Sequence, residues 1–233
     1  MESILSSKPN RVLSKDGSIH VTDEFYNTLI SSLGAFLSFV GVLLLIYFSI
    51  QAHKPWHIVA FSIYGIALLK LFVFSALHHG VDGSEKTEHL LRQFDYYAIF
   101  LMIAGTMTPF CLILLKNPLG WSVLGLIWFL AIVGILLKMF FPALPKWLST
   151  ALYMGMGWLG LLIIHPLYLH IPQGLIFLIL GGLLFTVGAI FFYLEKPNPF
   201  PGKFGFHEIW HLFVLGGAAS HFCVMYFYLL PLP

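Results

Sequence analysis

Histidines and one carboxylate recur at spacings that suit a metal ion. His207 and His211 are four residues apart, so on a helix both imidazoles lie on one face, one turn from each other, where two nitrogens can bind one ion. Ser75 and His79 repeat this spacing in an earlier apolar segment, and Asp95 stands at the start of the next. Three histidines and a water molecule form an open catalytic zinc site, and a nearby carboxylate can orient or deprotonate that water. These residue types therefore predict metal-assisted hydrolysis with zinc as the cofactor.

The segment 207–211 also reads H-E-x-x-H, the zincin signature, in which the glutamate is the general base of a protease. A zincin needs a third metal ligand, but the chain has no Asp or Glu after Glu208 and offers only His221. His221 lies ten residues beyond His211, about 15 Å along a helix, which is too far to bind the same ion. A ligand from another helix, His79, is therefore favoured over a zincin site.

Each candidate residue also has a purely structural interpretation. Histidines at helix ends commonly face interfacial water, and Asp95 could cap the helix that follows it. Ionisable groups inside membrane spans cost several kcal/mol each, however, so a set of them at one depth favours a common site. His78 points about 100° away from His79 on a helix and is the weaker candidate.

The elements that must position these residues are membrane-spanning helices. The chain has 233 residues, of which 59% are hydrophobic, 17% aromatic and only 9% charged. This composition excludes a soluble enzyme, a disordered chain and a nucleic-acid binder. Seven apolar stretches approach or exceed the roughly 20 residues that a spanning helix needs, at residues 26–50, 57–79, 95–115, 120–141, 147–165, 173–194 and 207–230.

The predicted fold class is therefore an all-α, polytopic membrane protein with a bundle of seven transmembrane helices. Residues 25–233 form the membrane domain, and residues 1–24 form a short polar, solvated tail in the cytoplasm. With seven spans, the loops on the side of the N-terminus hold nine Lys and Arg residues and the opposite loops hold two, Lys54 and Lys116. This distribution predicts a cytoplasmic N-terminus and an external C-terminus. The seven stretches also predict a multi-pass protein of the cell membrane.

Lys70 stands within the second apolar stretch, nine residues before His79. A lysine near the bilayer midplane is expected to face the bundle interior or water, and no carboxylate lies at its depth. The pattern assigns it no role.

Four ordered motifs resemble the hemolysin III family, the bacterial branch of the progestin and adipoQ receptor family that includes the adiponectin receptors. The resemblance covers nearly the whole chain from Glu24. The motifs are Glu24-x-x-Asn27, Ser75-Ala76-Leu77-His78-His79, Phe94-Asp95 with the later Ile103-Ala104-Gly105-Thr106-Met107-Thr108-Pro109, and His207-Glu208-Ile209-Trp210-His211 with Ser220-His221-Phe222.

The resemblance implies a seven-helix bundle with an intracellular N-terminus and a zinc ion near the cytoplasmic face. The residues that match the family's zinc ligands are His79, His207 and His211, while Ser75 and Asp95 match positions beside the zinc-bound water. One position departs from the family pattern. The family usually has a histidine four residues after the asparagine, and Ser31 stands there in this chain.

Two classes of function follow. The first is a zinc-dependent, ceramidase-like hydrolase of a membrane lipid amide, because the wider superfamily includes alkaline ceramidases. The second is a non-enzymatic hemolysin III-type protein, either a lipid or stress sensor or a pore-forming cytolysin, in which zinc is structural. An open fourth position and Asp95 favour the first, since structural zinc sites are usually closed by four protein ligands. The expected partner is a membrane lipid, and no protein partner is predicted.

Overall fold

The computed structural model describes residues 13–142 and 144–233. In these residues, seven helices are long and apolar enough to cross a membrane. They are α1 (Phe25–Gln51), α2 (Pro55–Gly80), α3 (Glu85–Leu114), α4 (Pro118–Phe140), α5 (Lys146–His170), α6 (Gly174–Leu194) and α7 (Phe206–Leu229). The prediction of an all-helical, multi-pass membrane domain with seven spans is confirmed.

Local sequence signals explain where several helices begin. Pro55 and Pro118 occupy the first turns of α2 and α4, where the missing N–H of proline costs nothing. Ser84 caps α3 by accepting a hydrogen bond from the Thr87 N–H at 3.3 Å. This cap makes α3 start ten residues before Asp95, so Asp95 lies inside the helix. The alternative that Asp95 caps the third helix is therefore wrong.

The helices pack so that the ends carrying the candidate residues meet. α2 packs against α1 and α3, α6 packs against α7, and α7 also contacts α1. More of α2 and α3 is buried than of any other span, which places them centrally in the bundle. The C-terminal end of α2, the first half of α3 and the N-terminal end of α7 come together at one end of the bundle.

Residues 13–24 lie against this same end. Lys15 is buried, and its ammonium donates to the carbonyl oxygens of His79 at 2.9 Å and of Val81 at 2.8 Å. Ser18 is also buried and donates to Glu195 at 2.9 Å. The polar groups of Lys15 and Ser18 thus satisfy backbone and side-chain groups at the helix ends instead of facing water, whereas the other described residues before α1 are partly or fully exposed. Residues 1–12, including Lys8 and Arg11, lie outside the described part of the chain.

Candidate metal centre

Three histidines from two helices converge at the buried end of the bundle. Nε2 of His79, on α2, lies 3.1 Å from Nε2 of His211 and 3.3 Å from Nε2 of His207, both on α7. One ring nitrogen from each of the three histidines lies within 4.8 Å of the corresponding nitrogens of the other two. A tetrahedral ion with bonds of about 2.0–2.1 Å to nitrogen separates its ligand atoms by roughly 3.3 Å. The spacing of the three nitrogens fits such an ion.

Two carboxylates hold the outer nitrogens of these rings. Nδ1 of His79 donates to Glu24 Oε2 at 2.7 Å, and Nδ1 of His207 donates to Asp16 Oδ2 at 3.0 Å. A proton on Nδ1 of a neutral ring leaves a lone pair on Nε2, so two lone pairs would face each other across 3.3 Å if both rings were neutral. They repel unless a positive charge lies between them. A carboxylate on the far nitrogen of a histidine is also the usual outer partner of a metal ligand.

Both carboxylates stay ionised although they are largely buried. Burial raises the pKa of Asp16, but the charge of His207 and hydrogen bonds from His207 and Ser14 outweigh it and hold this pKa well below its ordinary value. Burial likewise raises the pKa of Glu24, but the hydrogen bond and charge of His79 lower it to about 2. Each can therefore accept a hydrogen bond from an Nδ1–H group at neutral pH.

Neither carboxylate was predicted as part of the site. Glu24 belongs to the first family-like motif, so a signal for it was present in the sequence. Asp16 lies in a polar stretch with no recognisable spacing to the histidines, and only the folded chain brings it to His207.

Asp95 lies beside the histidines. One of its carboxylate oxygens and one ring nitrogen each of His78 and His79 lie within 4.8 Å of one another. His78 is buried and its Nδ1 has no hydrogen-bond partner among the described residues, although the sequence ranked it as the weaker candidate. Ser75 is buried one turn from His79, and its hydroxyl lies 2.9 Å from that of Ser31. Ser31, at the position where the family usually has histidine, therefore contacts a predicted site residue.

Glu208 is fully buried, and both of its carboxylate oxygens accept hydrogen bonds from structural groups. Its Oε1 accepts hydrogen bonds from Thr22 at 2.6 Å and Asn27 at 2.9 Å, and its Oε2 accepts one from the Gly205 N–H at 2.7 Å. Oε1 thus joins the start of α7 to Thr22 and to Asn27 in the first turn of α1, while Oε2 caps α7 itself. This geometry favours a structural role for Glu208 over the general base of a zincin.

Two adjoining cavities open beside the metal centre. The first, of about 310 Å³, is called the polar cavity, and it is lined by Ser75, Asp95, His207 and His211 together with charged residues near the membrane surface. The second, of about 270 Å³, is called the apolar cavity and lies deeper, between α3, α5, α6 and α7. The two share part of their walls, namely Leu71, Ile99, Tyr153, Trp210 and Val214.

Two polar residues of the spans lie away from the metal centre. His221 lines the apolar cavity, where its Nε2 lies 3.4 Å from the Leu178 carbonyl oxygen. Lys70 is exposed on α2, so it does not face the bundle interior. Its aliphatic stem can lie along the apolar helix surface, which lowers the cost of this placement.

Known proteins resemble the chain over most of its length. A family model described as haemolysin-III related matches residues 19–222. The hemolysin-3 of Bacillus cereus is 44% identical over 212 residues, which cover 91% of this chain and 94% of that protein. The hemolysin-3 homolog of Bacillus subtilis (strain 168) is 40% identical over 214 residues, covering 91% and 97%. The human monocyte to macrophage differentiation factor is 29% identical over 178 residues, covering 75% and 72%.

The matched range contains all five residues predicted from the sequence as zinc ligands or water-positioning groups, and it also contains Glu24. Asp16 precedes it. The extent of the family match and the identity to the two Bacillus proteins agree with the motif order in the sequence and with the seven helices. The chain therefore belongs to the haemolysin-III related family of multi-pass membrane proteins.

Proposed function

We propose that the chain is a zinc-dependent membrane hydrolase that cleaves an amide bond of a membrane lipid. One observation carries the proposal: three histidine nitrogens converge at a spacing that suits zinc, with a carboxylate that is not needed as a ligand beside them. A purely structural site would more often be closed by a fourth protein ligand. In this arrangement the fourth position is left for water or substrate.

Each residue of the site has a separate role in the proposed amide hydrolysis. Zinc held by His79, His207 and His211 would polarise the amide carbonyl and make water a stronger nucleophile. Asp95 accepts a proton from the attacking water as the water oxygen bonds to the carbonyl carbon. The same proton then passes to the amide nitrogen as the C–N bond breaks, which yields a fatty acid and an amine. Ser75, placed by Ser31, helps to orient the water.

The two cavities support a lipid as the substrate. The apolar cavity is walled almost entirely by aliphatic and aromatic side chains, and it adjoins the polar cavity through shared residues. An acyl chain in the apolar cavity would place its carbonyl group near the polar residues.

Substitution of Asp95 separates chemistry from metal binding. Purified wild type should contain zinc and release fatty acid from a fluorescent ceramide, measured by chromatography of the lipid products. Asp95→Asn keeps the shape of the side chain but removes the base, so hydrolysis should fall by about 10² to 10⁴ while zinc content falls little. Glu85→Gln, an exposed carboxylate on the same helix, is the matched control and should hydrolyse normally.

Substitution of a ligand tests the metal itself. His79→Ala should lower zinc content, measured by mass spectrometry of the purified protein, and should lower thermal stability with it. Stoichiometric zinc and normal melting in His79→Ala would remove His79 from the site. Wild type that holds zinc but releases no fatty acid from any lipid amide would instead support the sensor or cytolysin with structural zinc.

A further inference from the structure

The polar cavity carries three cations that metal chemistry does not use. Arg92 from α3, Lys138 from α4 and Lys146 from α5 all line it, and each is half-buried. Lys146 is paired with Glu195 at 2.8 Å. Among the described residues, no carboxylate lies within 4 Å of the charged groups of Arg92 or Lys138. Two cations from different helices thus face one cavity without an acidic partner.

Arg92 and Lys138 make only weak contacts with their neighbours, so their charges can still bind an anion. Arg92 donates to the Lys15 carbonyl oxygen and approaches Nδ1 of His89, both at 3.4 Å, which are long and weak contacts. The ammonium of Lys138 lies 4.6 Å from the centre of the Tyr96 ring. An aromatic face is a weaker partner than an anion, because a cation–π contact at a partly exposed site contributes little.

A buried hydroxyl in the same wall points to a ligand independently. Ser149 is only 6% exposed, lines the polar cavity, and its Oγ has no hydrogen-bond partner among the described residues. Buried polar groups without partners are rare and costly in folded proteins. Ser149 is the fourth residue of α5, and its own N–H group and that of Leu148 already donate to the Pro145 carbonyl oxygen. The Ser149 hydroxyl is therefore the donor that suits an anion here.

Two carboxylates also line the cavity. Asp16 is bonded to His207. Asp95 lies about one helical turn from Arg92 on α3, beside His78 and His79. The cavity therefore holds cations as well as the carboxylates beside the histidines.

We propose that Arg92, Lys138 and Ser149 bind the phosphate of a lipid headgroup, so that the substrate class is an anionic, phosphate-bearing lipid. The assignment of this lipid as substrate rests on the proposed function, whereas its binding does not. A lipid is favoured over free phosphate because the polar cavity continues into the apolar cavity, where an acyl chain fits. The headgroup lies among the cations, and the acyl chain passes the metal centre.

Two lipids that differ only by a phosphate test this proposal. The full-length protein in maltoside micelles is titrated with fluorescent phosphatidic acid and with the matching diacylglycerol, and binding is followed by fluorescence anisotropy. Phosphatidic acid should bind at least about tenfold more tightly, since hydrogen bonds to charged groups contribute more than neutral ones. Equal binding of the two lipids would overturn the proposal.

Removal of the cations should abolish this preference. The double variant Arg92→Gln/Lys138→Gln should bind phosphatidic acid about tenfold less tightly and diacylglycerol unchanged. Lys86→Gln/Lys203→Gln removes the same charge from exposed positions and should keep the preference. If this control loses affinity equally, general electrostatic attraction explains the binding and the proposal fails. Inorganic phosphate that binds as tightly as phosphatidic acid would overturn the assignment to a lipid.

A conservative substitution of Ser149 tests the site without the risk of misfolding. Ser149→Ala should melt at the same or a higher temperature than wild type without lipid, because it removes a hydroxyl that has no partner. The rise in melting temperature caused by phosphatidic acid should be smaller than in wild type, and an undiminished rise would exclude Ser149 from the site. Phosphatidic acid contains no amide, so these measurements stand whether or not the protein hydrolyses lipid amides.

Discussion

The outer nitrogens of His79 and His207 distinguish this cluster from histidines that merely share a helix end. Each Nδ1 donates to a carboxylate that comes from the segment before α1, so the rings are locked with their Nε2 atoms facing inward. His211 completes the group from one turn away on α7. The site therefore depends on residues from three separate parts of the chain.

Removal of either outer carboxylate should weaken metal binding without removing a ligand. Asp16→Asn and Glu24→Gln should each lower zinc affinity by about 10- to 100-fold, because the rings lose the acceptors that orient them. Competition with a fluorescent zinc chelator measures the affinity. Glu85→Gln serves again as the exposed control, and unchanged affinity in both Asp16→Asn and Glu24→Gln would show that the rings are positioned without these carboxylates.

Sequence spacing predicted which site residues share a face of one helix. It could not predict contacts between residues on different helices or segments. The pair His207 and His211 and the pair Ser75 and His79 follow from helical periodicity alone. Their convergence with Asp95 was inferred from a common depth in the membrane, and the structure brings them together. Asp16 could not be predicted, because its contact with His207 spans 191 positions and depends on how the first described residues fold back.

At the level of elements, Glu208 ties the start of α7 to the segment that carries Asp16 and Glu24. Glu208→Gln keeps the size of the side chain but turns one acceptor into a donor that faces Thr22 and Asn27 or the Gly205 N–H. The free energy of unfolding should fall by about 1–3 kcal/mol. Chemical denaturation in micelles measures it. Folded Glu208→Gln protein should still hydrolyse lipid amide, whereas a zincin would lose activity and keep its stability.

The contact between α6 and α7 depends on a glycine. A Cβ atom added at Gly181 would lie 2.3 Å from Cδ2 of His221, whereas one added at the neighbouring Gly182 would meet nothing within 4 Å. Gly181→Ala should therefore destabilise the protein by about 1–3 kcal/mol, the usual cost of overpacking. Gly182→Ala should be neutral or slightly stabilising, because alanine favours helix. Thermal melting of the two variants compares them directly, and equal melting temperatures would contradict the close packing.

For the whole molecule, composition and apolar run length were enough to predict seven spanning helices, because the bilayer leaves few alternatives for an unpaired backbone. Helix ends were harder to place. The sequence analysis began the third span at residue 95, but the polar turns from Glu85 to Arg92 continue the same helix and bring Arg92 into the polar cavity. Hydropathy marks where a chain becomes apolar, and caps such as Ser84 mark where a helix begins.

The orientation of the bundle decides which leaflet the polar cavity faces, and it remains a prediction. Nine Lys and Arg residues lie on the side of the N-terminus, two lie on the other side, and Lys70 lies within a span. This distribution favours a cytoplasmic N-terminus. Because Lys15, Arg92, Lys138 and Lys146 surround the metal centre at that end, the polar cavity should open toward the cytoplasmic leaflet. Alkaline phosphatase fused after Pro233 should be active, since the enzyme works only outside the cytoplasm, and a fusion truncated after Lys203 should be inactive. The reverse pattern would place the cavity at the external leaflet and assign the cations to lipids of that side.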